Sequence, residues 1–249
     1  MHRCTITKLT LPLFVMLFVV SLSSVKGQGL QSELAQRVKT FDSESSSTVG
    51  QLVDFAQRFQ IPMGIELANE SEESVAPPIH ARNTTAQRII QQIVHERPGT
   101  GFTLSGGVLH VFATSIVNDH RNFLNLRMSH FQVEKENLFG AEWLLRVSIH
   151  QVLSPSRGGY GGGHGYGVQR TDTFDVRNLS FSINNATVRQ ILNGIVVRQG
   201  NALWLVRINP SQMMANGRFY VQTASATSET AAPDFHWEFL PLKEVRGNN

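Results

Sequence analysis

Apolar residues along this chain follow two rhythms, and each predicts a type of element. From 48 to 59, Leu52, Phe55, Ala56 and Phe59 share one face of a 3.6-residue period, which predicts an amphipathic helix behind a Ser-rich N-cap region. Residues 61–67 follow as a short apolar strand; Pro62 suits its start or a sheet edge because it has no N–H for the ladder. After a polar loop at 69–74, an extended piece at 79–82 leads into residues 83–94. There Ile89, Ile90, Ile93 and Val94 form one helical stripe, ended by Pro98-Gly99. Residues 102–104 and 108–112, joined through Ser105-Gly106-Gly107, read as a hairpin. Upstream, residues 30–38 form a short amphipathic stretch.

The pattern of 83–94 returns 102 residues later, at 185–196, matching at Asn, at Thr and at all four stripe positions. It too is followed by a strand, at 202–207, and preceded by an alternating one, at 174–181. Thr48-Val49 with Leu52, Val53 and Ala56 is a weaker third copy. Between the units, 121–153 is a connecting strand or helix segment, and Val, Ile and Trp content favours a strand at 142–152. Residues 156–170 are glycine-rich, and a last strand is expected at 235–240.

Residues 41–112 resemble the short N-terminal domain of secretins and TonB-dependent receptors. The resemblance rests on "TVGQLVDFAQRFQIPMGIEL", then "IHARNTTAQRIIQQIV", then "GFTLSGGVLHVF": helix, strand, strand, helix, hairpin. Pro77-Pro78 and the stretch Pro98-Gly99-Thr100-Gly101 depart from the family's pattern. Residues 174–207 resemble half of the same domain, within a second α+β half at 174–240. The fold class implied is α+β, with small sheets packed by two-helix units and a partly repeated second half. The family's role implies a protein partner in the cell envelope rather than chemistry.

The N-terminus and the charge balance add a location. Arg3 and Lys8 precede a 14-residue run from Leu9 to Leu22 that is largely apolar. A helix of that length falls short of the roughly 30 Å hydrocarbon core. Small residues at Val25 and Gly27 then suggest a signal peptide over 1–27 with cleavage before Gln28, although an uncleaved anchor uses the same residues. Cleavage removes Cys4, the only cysteine, so no disulfide or thiolate site remains. It also removes three of the 22 basic residues and none of the 19 acidic ones, which leaves a neutral chain. Nucleic-acid binders carry a clustered basic excess, so no nucleic-acid partner is expected. No second membrane span is expected either, and the location expected is the periplasm or the extracellular space.

Candidate chemistry is thin. His164 lies in SRGGYGGGHGYG between Tyr160 and Tyr166, but a metal needs three or four fixed donors, which a glycine-rich loop does not supply. These three residues read instead as a partner-contacting loop. The chain lacks Gly-Lys-Ser/Thr for a phosphate, His-Glu-x-x-His and Gly-x-Ser-x-Gly. His95-Glu96 is one pair at a helix end. The Asn-x-Ser/Thr triplets at Asn83 and Asn185 coincide with helix starts and are read as caps. No catalytic residue, metal or cofactor is assigned, and the reading is a non-catalytic interaction module. A secreted hydrolase is the alternative, motivated by export, nine histidines and room for a cleft.

Overall fold

The computed structural model describes residues 24–68, 75–153, 177–200, 202–208 and 237–242. In chain order the elements are α1 (Ser24–Ala35), β1 (Arg37–Ser43), α2 (Thr48–Phe59), β2 (Met63–Ala68), β3 (Ile79–Thr85), α3 (Ala86–His95), β4 (Thr100–Ser105) and β5 (Val108–Ala113). A second series follows: β6 (Arg127–Glu136), α4 (Leu138–Leu153), β7 (Leu179–Thr187), α5 (Val188–Gln199), β8 (Ala202–Ile208) and β9 (Trp237–Pro241). The fold is α+β, as expected.

One five-stranded sheet, ordered β4-β5-β2-β8-β9, joins the two series. Its central strand β2 runs parallel to β5 on one side and to β8 on the other, while β4 and β9 close the edges antiparallel. Alternation along β8 sends Leu203 and Leu205 into a core with Leu52, Phe55, Ile89 and Ile93. Trp204 and Val206 point the other way, into a core with Leu145, Ile149, Ile191 and Ile195. The sheet is therefore sandwiched, with α2 and α3 on one face and α4 and α5 on the other. This buries every position of β2, including a glutamate.

The recurrence in the sequence corresponds to recurring geometry. β1–α2–β3–α3 and β6–α4–β7–α5 each pair their two strands antiparallel. Asn83 and Asn185 both take left-handed backbone, at φ 48° and 50°. Both also interrupt the ladder: pairing passes from Val38↔Thr84 to Thr40↔Arg82, and from Met128↔Ala186 to His130↔Asn184. Asparagine tolerates that conformation better than most side chains. The caps are therefore the threonines, not the asparagines. Thr85 Oγ1 accepts from Arg88 N at 3.3 Å and Thr187 Oγ1 from Gln190 N at 3.2 Å. At Thr187 the Gln190 side chain returns the bond to the backbone N–H at 2.8 Å, completing a capping box. Thr187→Ala should lower stability by about 1 kcal/mol, measured as a denaturation midpoint; a midpoint equal to that of the unsubstituted protein would contradict the cap.

Five expectations need correction or placement. Residues 142–152 are helical within α4, not a strand. Leu138, Ala141, Leu145 and Ile149 are buried at helical spacing, and Arg146 pairs with Glu142 one turn away at 2.8 Å, so packing overrides β-propensity. The stretch at 30–38 divides into the end of α1 and the start of β1, a strand the sequence reading did not expect. Leu30 and Leu34, just past the expected cleavage point, are buried in the first core. The expected strand at 174–181 is seen from Leu179 onward as β7; residues 174–176, the glycine-rich stretch at 156–170 and residues 1–23 of the expected signal peptide lie outside the described residues.

Candidate functional site

A carboxylate in the middle of a buried strand needs partners, because leaving its charge in a low-dielectric interior is costly. Glu66 sits on β2, flanked in register by Phe112 and Val206, and is fully buried. Three segments supply its partners. From β5, His110 Nε2 lies 3.1 Å from Oε2. From the turn after β5, the Asn122 side-chain amide donates to Oε1. From the first turn of α5, Arg189 donates through Nε to Oε2 at 2.8 Å and through a terminal nitrogen to Oε1 at 2.9 Å, the bidentate fork that suits a carboxylate.

The rest of the cluster is tied down in turn. The other terminal nitrogen of Arg189 donates to Asn125 Oδ1 at 2.6 Å, and the guanidinium also reaches the Val117 carbonyl at 3.2 Å. Asn122 Nδ2 donates to the Ile116 carbonyl at 3.0 Å, while its Oδ1 accepts from Leu124 N. Burial pushes the Glu66 carboxyl upward, but the bonds from His110 and Arg189 outweigh it and hold its pKa below the ordinary 4.5. Both carboxylate oxygens are committed, and Arg189 carries this bond across from the second series to the first. Chemically the cluster is an ionic brace.

The residues singled out in the sequence fare differently. Tyr160, His164 and Tyr166 lie outside the described residues. His95 ends α3 on the surface, one residue before the C-cap Glu96. Ser43 Oγ donates to Asp54 Oδ2 at 2.6 Å, whereas His80 Nδ1 meets Asp42 Oδ1 at 3.0 Å. Neighbours on one strand, Ser43 is buried and Asp42 exposed, so these pairs occupy opposite faces and form no triad. No group of three or more potential metal ligands occurs among the described residues. No helix among them is long and apolar enough to cross a membrane.

Sequence reasoning passed over the brace. Its signal was a lone acid in an otherwise apolar strand, and an arginine at 189 where the matching position of α3 holds Gln87. A second feature is open instead of closed: two adjoining clefts of about 480 and 380 Å³ run between β1 and α2. No family model, curated protein or solved structure matches this chain.

Proposed function

We propose that this chain is an exported, non-catalytic interaction module of the cell envelope, working in the periplasm or outside the cell. It is similar in this to the short N-terminal domain of secretins and TonB-dependent receptors. The observation that carries the reading is a contrast: the buried charged groups at Glu66 satisfy one another, while the open clefts follow the backbone of a two-stranded sheet. Committed, desolvated charges fix geometry, whereas exposed strand backbone can be extended by another chain. The order α2, β2, β3, α3 and the β4–β5 hairpin also fits the family's element order. The apolar leader supports the location.

Export and partnership are tested together by expressing the full chain with a C-terminal tag, fractionating the cells and sizing the tagged species from the envelope fraction. The expected result is an envelope location and one defined polypeptide held in fixed ratio. A cytoplasmic location, or a monomer without a partner in that fraction, would sink the proposal.

A further inference from the structure

The clefts beside β1 have a definite chemistry. Among the described residues β1 hydrogen-bonds to no strand except β3, so its other edge is open to pairing. The two clefts share Thr40 and Arg58 and follow β1 along the side facing α2. Aromatic rings lie at this place: Phe41 stacks on Phe59 with centroids 5.9 Å apart, and Phe59 packs on Phe55 at 4.8 Å. Phe41 lines one cleft and Phe59 the other. Around the rings stand Arg37, Lys39 and Arg58, all exposed and without an ion pair among the described residues. Two acids line the first cleft, of which only Asp42 is paired with cations. Asp42 takes Arg82 at 2.7 Å and His80 at 3.0 Å, and Asp54 accepts from Ser43. The groove thus combines a free strand edge, an aromatic floor and an excess of positive charge, three cations against Asp42 and Asp54 with Asp42 already paired to Arg82.

We propose that an extended segment of a partner protein adds to the β1 edge in this groove, with acidic side chains alternating with apolar ones. The identification rests on the interaction-module reading and narrows it. A strand turns successive side chains to opposite sides, so alternate residues meet the Phe41–Phe59 floor and the others face the cations. Main-chain hydrogen bonds supply affinity in such strand addition, and charge complementarity selects the sequence.

The probe is a fluorescein-labelled, N-acetylated glutamate–valine alternating octapeptide, titrated into the full chain by anisotropy beside its lysine–valine counterpart. Saturable binding of the glutamate peptide is expected, weaker by about tenfold or more for the lysine peptide, because like charges would then face one another. Reversing two cations in Lys39→Glu/Arg58→Glu should weaken the glutamate peptide by about tenfold or more as well. Arg88→Glu, an exposed change on α3 that lines neither cleft, should leave it unaltered. Hydrogen exchange should show alternate amides of β1 gaining protection with peptide. Near-UV circular dichroism checks that the double variant is folded. Equal affinity for both peptides, indifference to charge reversal, or no protection in β1 would overturn the proposal. So would β1 protection that grows with protein concentration alone, which would assign the edge to a second copy. If the envelope partner is recovered equally by the double variant, the groove assignment fails while the module reading stands. If neither form recovers a partner, the module reading itself fails.

Discussion

Glu66→Ala is expected to lower stability by about 3–5 kcal/mol, the usual cost of removing one partner of a buried ion pair. The substitution strands the Arg189 guanidinium, whose side chain is only 15% exposed, against His110 and Asn122 with no counter-charge. Removing the pair together is a different matter. Glu66→Leu with Arg189→Leu replaces two desolvated charges by apolar volume and should recover most of the loss. If the single and double variants unfold at the same denaturant concentration, the loss comes from packing and the brace reading is wrong. Acid provides a second readout. Because the folded pKa of Glu66 lies below 4.5, its contribution to stability is present above that value and is lost as pH falls through the folded pKa. The unsubstituted protein should therefore lose stability more steeply below about pH 4.5 than Glu66→Ala does.

Gly64→Ala should be the next most damaging change, for a steric reason. Gly64 stands directly opposite Trp204 in the β2–β8 ladder, and a Cβ there would lie 2.4 Å from Trp204 Cζ2 and 2.5 Å from Cε2. The indole cannot retreat. Trp204 is fully buried, and its Nε1 donates to Asn193 Oδ1 on α5 at 2.8 Å. Overpacking of this kind costs about 1–3 kcal/mol, here at the seam between the two series. Trp204→Leu opens the space, so Gly64→Ala should cost less in that background than alone. Equal costs in both backgrounds would show that the indole is not what makes Gly64 necessary.

The helices α2, α3 and α5 were legible because each packs only one face, so burial leaves a stripe: Leu52, Phe55 and Ala56 in α2, and Ile89, Ile90, Ile93 and Val94 in α3. In α4 the apolar residues spread around the helix, and Val, Ile and Trp content pointed to a strand. β1 hid for a related reason. Its burial is irregular, with Val38, Phe41 and Ser43 inward and Lys39 and Thr40 both exposed, so strict alternation failed. The recurrence of 83–94 at 185–196 was legible in six positions, but the reason for its asparagines was not. They are there for left-handed backbone beside the cap, which no hydrophobic pattern encodes. Least legible was the brace. Glu66, His110, Asn122 and Arg189 are scattered along the chain, and only the parallel alignment of β2 between β5 and β8 brings them together.

That alignment makes the two series one body, and native-state hydrogen exchange across a denaturant series tests it most directly. Amides of Leu109 and Val111 on β5 report on the first core, and those of Ile191 and Leu192 on α5 report on the second. In the unsubstituted protein the two sets should converge on a single opening free energy, whereas in Glu66→Ala the α5 set should open first. Two separate isotherms in the unsubstituted protein, with α5 exchanging while β5 stays protected, would contradict the claim that sheet and brace lock the series together.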